Sequence, residues 1–459
     1  MIALDEAARV AKARELAETL PARGVRSVGM SVVDNAGVAR VKTVPLPLLE
    51  RAVRFGIGLS PVFGVMMVND HITSSPEVGG PAGDLRLMLD PEALRVLSAQ
   101  PGWAWAPADQ FTQDGEPFGN CQRSFLKRMV DRAASAGFEL SVGCEIEWFH
   151  GREEADGSIS YGHLGPAYSM SALAQTSDFV NDLIGAFEHE QAGVDQFHPE
   201  YALGQMEISL AHRPPVAAAD LNVLVRQTIR SVAAQHGWQA SFSPTVIPGQ
   251  VGNGGHIHYS LQRDGRNLFA GGQGPYGMTD EAEAFMAGVL EHLPALLAVG
   301  CPSVASYLRL VPSAWAGVYQ IWGRENREAA VRFVTGMIGQ RDTSANCEVK
   351  CFDSSANTYL ATGALIAAGL DGVKRSLRLP AEFPDDPASH PEEELTQRGV
   401  KRLPTSLGES LERLEADGVI KEAMGSMLFG AFTAVRRAEF EFFGEMDPDA
   451  IAAAHRWRY

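Results

Sequence analysis

The chain is poor in cysteine, in basic charge and in long apolar runs, and each shortage removes a class of protein. Its five cysteines, Cys121, Cys144, Cys301, Cys347 and Cys351, are scattered and odd in number, which argues against a disulfide framework. Cys347 and Cys351 have no second pair nearby to complete a zinc site, so the thiols read as small buried residues in a reducing compartment. Lys and Arg total 39 against 56 Asp and Glu, a formal net charge of -17, which argues against binding nucleic acid through the overall field. The most apolar stretches, 292–310 and 359–370, are too short or too broken by proline and polar residues to cross a membrane. The opening residues mix charged with apolar side chains at helical spacing and show no secretory leader. There is no internal repeat and no low-complexity tract. The expectation is a cytoplasmic protein without nucleic-acid or membrane partners.

What is present points to two domains, since 459 residues with 45% hydrophobic content exceed one ordinary core. Residues 5–20 read as an amphipathic helix, and 27–33 and 37–44 as strands joined by a turn at Asp34-Asn35-Ala36-Gly37. Residues 46–112 hold short apolar runs broken by glycine and proline. The turn-prone stretch 112–117 marks a boundary. Beyond it, helices at 120–136, 171–191, 217–237, 279–299, 358–373 and 406–417 alternate with strands at 138–147, 205–210, 238–244, 256–261 and 329–334. Thr279 is placed to cap its helix, with Asp280 and Glu281 in the first turn. The segment 379–404, rich in proline and acid, reads as a long surface loop. The fold class is α+β, with a small strand-rich domain over 1–112 and a larger one over 113–459.

Four short segments carry chemistry. Cys144-Glu145-Ile146-Glu147-Trp148 puts two acids at i and i+2, on one face of a strand. Two adjacent carboxylates entering an interior repel each other and lose solvation, and a divalent cation resolves both problems. Taken alone, the pair is as well explained by a solvated strand end. Glu200 and Glu207 flank a turn containing Gly204, which can return both acids to one place. In Gly252-Asn253-Gly254-Gly255-His256-Ile257-His258, two histidines share a strand face behind glycines that let a ligand approach the backbone. Glu348-Val349-Lys350 alternates acid and base, as an exposed strand edge also would. Their five glutamates and one of the histidines are enough for two cations with three ligands each. Carboxylate-rich sites suit magnesium or manganese, and two such ions with open positions suit phosphoryl transfer.

The order of these segments resembles the glutamine synthetase family. The agreement extends to Ser306-Tyr307-Leu308-Arg309-Leu310-Val311-Pro312, to Glu325-Asn326-Arg327-Glu328-Ala329-Ala330-Val331-Arg332 and to Leu403-Pro404-Thr405-Ser406-Leu407-Gly408-Glu409. Each motif is weak alone, but the ordered set is specific. The resemblance implies a small N-terminal β-grasp-like domain followed by a large α/β catalytic domain, and stacked hexameric rings forming a homo-dodecamer. It implies ATP and two or more Mg2+ (or Mn2+) as cofactors, with glutamate and an amine as substrates. By the same resemblance Glu147, Glu200 and Glu207 match the ligands of one metal. Glu145, His256 and Glu348 match those of a second, nearer the nucleotide. Arg309 matches the arginine on the glutamate α-carboxylate, Gly252 the backbone meeting the amino acid, and Arg327 and Arg332 the arginines around the transferred phosphate. His258 and Ser260 fall on the nucleotide side.

Some positions depart from the family pattern. Trp315 stands where ammonium-using members have a glutamate, and Gly56-Ile57-Gly58-Leu59-Ser60-Pro61 carries no acid where they have an aspartate, although Asp70 lies further on. Without those charges a larger amine is expected, with the indole covering an alkyl chain or facing a cation. Val251 replaces an asparagine, and Lys350 replaces an arginine, giving a point charge at the substrate instead of a fork. No tyrosine lies between Lys374 and Ser406, so the adenylylation control of some bacterial members is not expected. The leading expectation is a ligase joining glutamate to a polyamine such as putrescine or spermidine. Ethanolamine or a small monoamine as acceptor, an ordinary glutamine synthetase using ammonium, and a non-catalytic structural or regulatory relative are the alternatives.

Overall fold

The computed structural model describes residues 2–459, and side chains from residue 6 onward. After the helix Ile2–Thr19, a six-stranded sheet forms from Ser27–Val33, Ala39–Pro45, Ile57–Leu59, Leu85–Leu89, Arg95–Val96 and Trp103–Phe111. The first two strands pair antiparallel from Ser27↔Pro45 to Val33↔Ala39, while Ser27–Val33 runs parallel to Trp103–Phe111. The turn expected at Asp34 is present: its carboxylate accepts the N–H groups of Ala36 and Val38, each at 2.9 Å. The stretch after Phe111 is a tight reversal, with the Thr112 N–H donating to the Glu116 carbonyl at 2.8 Å.

The second sheet has ten strands. Its main path runs Tyr319–Arg324, Ala329–Val334, Asn346–Val349, Ile257–Arg263, Glu139–Glu153, Gln205–Leu210 and Val194–Pro199. The central strand Glu139–Glu153 outruns the expected 138–147. In it buried Leu140, Val142, Cys144, Ile146 and Trp148 alternate with less buried Ser141, Gly143, Glu145 and Glu147. The apolar face packs into one continuous core, where each fully buried large side chain contributes about 1.5–3 kcal/mol. The opposite face carries the carboxylates.

Helix starts follow local chemistry. Thr279, Asn357 and Ser406 accept N–H groups of the first turns of Asp280–Gly300, Thr358–Arg375 and Leu407–Ala416. The expected single helix at 171–191 is two, Met170–Gln175 and Ser177–Glu190, because the Thr176 hydroxyl donates to the carbonyls of Ala172 and Leu173 at the break. Asp280–Gly300 is the one helix among the described residues long and apolar enough to cross a membrane, and 89% of its apolar window is buried inside the fold. The segment read as a surface loop is instead a strap. Phe383 and Leu395 form a small core with Ile321 and Ala329, and the Trp322 indole N–H donates to the Pro380 carbonyl at 2.8 Å. All five cysteines are buried and free.

The two sheets are tied by buried polar links. Arg123 bonds Asp90, Asp109 and Asp220 at 2.8 Å each, and Asn357 donates to the carbonyls of Val33 and Asp34 at 2.9 and 3.0 Å.

Candidate active site

Register across the second sheet brings distant residues into one row. Arg332 lies opposite Glu348, and Glu348 opposite His258. On the other side of the central strand Glu147 lies opposite Glu207, and Glu207 opposite His198. Gly204 makes the second half possible. At φ 70° it turns Val194–Pro199 into Gln205–Leu210, and a Cβ there would meet the His150 carbonyl oxygen at 2.8 Å. Two nests of ligand-type side chains result, Glu145–His258–Glu348 and His198–Glu200–Glu207, each with its ligand atoms within 4.8 Å of one another.

His256 stands at the inner nest too. Its Nδ1 lies 3.1 Å from Glu145 and 3.2 Å from Glu348, and its Nε2 lies 3.7 Å from Glu147. That Nε2 is buried and has no hydrogen-bond partner. The family resemblance sets His258 apart, on the nucleotide side. The structure brings its Nε2 to 3.3 Å from Glu145, with Nδ1 2.9 Å from the Asn346 side-chain oxygen. With Ser260 and Glu145 it also lines an open cavity of about 620 Å³ that extends to Met337 and Gln340.

The inner nest has protein cations against it. Lys350 Nζ is 3.3 Å and Arg332 Nη1 3.0 Å from Glu348, and Arg332 also reaches Glu325 at 3.1 Å. Burial alone would raise the Glu348 carboxyl; Lys350, His258 and His256 outweigh it and hold it well below the usual range. The outer nest has no Lys or Arg in this role; its partner is His198, whose Nε2 lies 3.4 Å from Glu207 and whose imidazole that hydrogen bond raises. Glu200 is pushed up to about 7 by burial, with Glu147 and Glu207 adding repulsion against the Tyr168 hydroxyl and the Tyr201 N–H that it accepts. Glu147 is steadied by N–H groups of Gln205 at 3.0 Å and Gly254 at 2.7 Å.

Between the nests lies a space walled by glycine. A Cβ on Gly254 would sit 2.4 Å from His256 Nε2 and 2.9 Å from both Arg309 and Glu147, so any side chain there would fill the cleft. Gly252 is equally constrained, with Pro244 oxygen at 2.1 Å and Arg309 carbons at 3.0 and 3.1 Å from a built Cβ. Arg309 is buried and donates to the Cys351 carbonyl at 3.0 Å, which fixes its guanidinium against this space.

The third arginine position differs from the other two. Arg327 is exposed, with its guanidinium 5.6 Å from the centre of the Trp315 ring. Trp315 is 56% exposed and held at φ 54°, near Ser313 at φ 56°, a left-handed backbone costing roughly 1–2 kcal/mol for such residues. The cation that the indole faces is therefore the protein's own. Asp70 is engaged by Arg40 at 2.7 Å and Arg458 at 2.8 Å, and is no free acid for an incoming amine.

His198, Tyr168 and Gln205 also stand at the site, against Glu207, Glu200 and Glu147, and the sequence alone assigns them no role. A His-Pro-Glu run beside a hairpin was the available signal for His198; Tyr168 comes from a separate loop and left none.

Comparison with known proteins assigns this architecture. Residues 119–452 match the glutamine synthetase catalytic domain, and the chain belongs to the glutamine synthetase family. It is 50% identical over 452 residues to the gamma-glutamylpolyamine synthetase GlnA3 of Streptomyces coelicolor, covering 98% of this chain and 97% of that protein. It is 31% identical over 426 residues to the glutamine synthetase of Pyrococcus horikoshii, covering 91% and 90%. Among solved structures, a glutamine synthase homolog superposes with a TM-score of 0.84 at 30% identity, over 95% of this chain and 99% of that one. A complex of GmaS with ADP gives 0.81 at 28% identity, over 94% and 97%.

Proposed function

We propose that this chain uses ATP to join the γ-carboxylate of glutamate to a polyamine such as putrescine or spermidine. The observation that carries the reading is one space at Gly254 where His256, Glu147 and Arg309 meet, flanked by the two acid nests and by Lys350 against Glu348. The half-identity to a gamma-glutamylpolyamine synthetase along nearly the whole chain supports a polyamine acceptor.

Magnesium or manganese fits the nests on this chain's own donors. Carboxylates and imidazole converge, the Nε2 atoms of His256 and His258 are buried without a hydrogen-bond partner, and Glu200 is raised by burial with its neighbours' charge added. When bound, such ions offset phosphate charge and polarise the transferred phosphoryl group. Glu145, His256 and Glu348 would hold one, with His258 adjoining; Glu147, Glu200 and Glu207 would hold the other, with His198 adjoining.

The rest of the work belongs to fixed groups. Arg309 and the Gly252 backbone orient glutamate, and His258 and Ser260 face ATP. Lys350 and Arg332 place positive charge beside Glu348, where the γ-phosphoryl group moves to the glutamate carboxylate, with Arg327 over the Trp315 ring. The acyl phosphate formed has a good leaving group, which the free carboxylate lacks, and an uncharged amine displaces phosphate from it. A division into 1–112 and 113–459, a dodecamer of stacked hexameric rings and a cytoplasmic location belong to the same proposal.

The test is phosphate release from ATP and glutamate with a panel of amines. Putrescine or spermidine should drive turnover and ammonium should not. Turnover with ammonium alone would sink the polyamine reading. ATP and magnesium binding without turnover on any amine would mark a non-catalytic member.

A further inference from the structure

The acid that the family places at the Trp315 position has no counterpart there, yet a carboxylate meets that residue from elsewhere in the chain. Glu328, just before the strand Ala329–Val334, is only 6% exposed. One of its oxygens accepts the Trp315 backbone N–H at 2.8 Å; the other, Oε2, is buried with no hydrogen-bond partner. A buried carboxylate oxygen left open in this way is costly unless a ligand completes it. Its surroundings say which kind. The guanidinium of the next residue back, Arg327, lies over the Trp315 ring at 5.6 Å, and the charge of Lys350, which reaches Glu348, favours the ionised Glu328 carboxyl. On the other flank of the same loop, the Ser313 hydroxyl donates to Asp386 at 2.7 Å, and Asp386 bears on Glu328 as well. The loop carrying Trp315 is thus pinned between two carboxylates, one deep and one at the rim.

We propose that Glu328 is the carboxylate that binds the attacking ammonium of the acceptor and takes its proton, and that Asp386 holds a second ammonium further along the same acceptor. This deepens the ligase reading and rests on it. The step balances. R–NH3+ gives one proton to the Glu328 carboxylate, and the nitrogen lone pair forms a C–N bond to the acyl carbon. The C–O bond to phosphate breaks with its electron pair, and the second amine proton leaves with the phosphate. Burial raises the Glu328 carboxyl, with Asp386 adding to the rise and the Trp315 N–H and Lys350 opposing it; the balance is upward, which makes the carboxylate a better base. A polyamine, with ammonium groups spaced along an alkyl chain, matches one deep acid and one rim acid beside an indole.

The experiment compares two acceptors on the full-length enzyme. Putrescine must lose a proton before attack, whereas hydroxylamine is largely uncharged at neutral pH and reports acyl phosphate formation as the hydroxamate. Glu328→Gln keeps an oxygen for the Trp315 N–H and removes the charge. It should lower the putrescine-to-hydroxylamine ratio of kcat/KM at least ~100-fold. An equal loss with both acceptors would mean that Glu328 only holds the loop, and no loss with either would remove it from the site; both overturn the proposal. No hydroxamate from the wild-type enzyme would overturn the ligase reading itself. Asp386→Asn should raise KM for putrescine roughly fivefold relative to butylamine, which has no second ammonium. An equal change for both amines overturns the second half of the proposal, and this variant stands as a test even if Glu328→Gln does not fold.

Discussion

The two nests on the catalytic sheet use the same residue types and opposite electrostatics. The inner one has Lys350 and Arg332 built against Glu348, whose carboxyl is held low. The outer one buries Glu200 beside Glu147 and Glu207, and burial, with their charge added, drives its carboxyl up to about 7. The inner nest therefore has fixed cations against its buried acid, while the outer one keeps Glu200 buried beside two other acids with only the His198 imidazole against Glu207, a burial cost that an added cation relieves. The difference teaches that ligand identity alone does not describe a metal site; what stands behind the ligands decides whether the empty site is stable.

The strongest way to break this comparison is to remove one acid from each nest. Glu348→Ala leaves Lys350 and Arg332 buried without their shared partner, and is expected to cost about 3–5 kcal/mol of stability as well as at least ~100-fold in turnover. Glu200→Gln removes charge from a crowded site while its amide oxygen can still accept the Tyr168 hydroxyl. It should lose comparable activity yet melt no lower than wild type without divalent ions. Thermal melts and phosphate release on both variants decide the matter. A parallel fall in both melting temperatures would show that the nests are alike.

A smaller effect sharpens the contrast through pH. A carboxyl raised in the folded state contributes stability that is full below its unfolded value and is lost as pH rises through its folded value. For Glu200 that loss falls between the ordinary 4.5 and about 7. Magnesium or manganese, by replacing the proton, should restore it. The rise in melting temperature on adding either ion is thus expected to be larger at pH 8 than at pH 6. The same rise at both would say that the ion does not replace a proton on Glu200.

Much of this was legible in the sequence, for a physical reason. Residues of one strand declare their shared face by alternation, so Glu145 with Glu147 and Glu348 with Lys350 could be paired before any coordinates. Helix ends at Thr279, Asn357 and Ser406 follow from side chains that cap locally. What was hidden depends on register and on backbone shape. His198 meets Glu207 only because two strands pair at that offset. Glu328 reaches Trp315 only because Ser313 and Trp315 adopt positive φ. The strap at 379–404 looked like loop because proline and acid dominate its composition, while its few anchors, Phe383 and Leu395, are too sparse to show a period.

The smallest expected effect uses a third acid pair as a control. His292 lies between Asp371 at 3.1 Å and Asp417 at 2.6 Å, with its own ring as the counter-charge. Burial pulls its pKa down, but the hydrogen bonds and charges of Asp417 and Asp371 outweigh it and raise the imidazole above its ordinary 6.5. A group raised in this way stabilises fully below the unfolded value, and the contribution fades as pH rises through the folded one. Wild type should therefore exceed His292→Gln in stability by about 1–2 kcal/mol at pH 6 and by less at pH 9. Because this pair already contains its cation, magnesium should leave the gap between wild type and variant unchanged. A gap that closes on adding magnesium would mean that acid pairs in this fold respond to divalent ions whether or not the protein supplies its own charge, and the distinction between the nests would lose its basis.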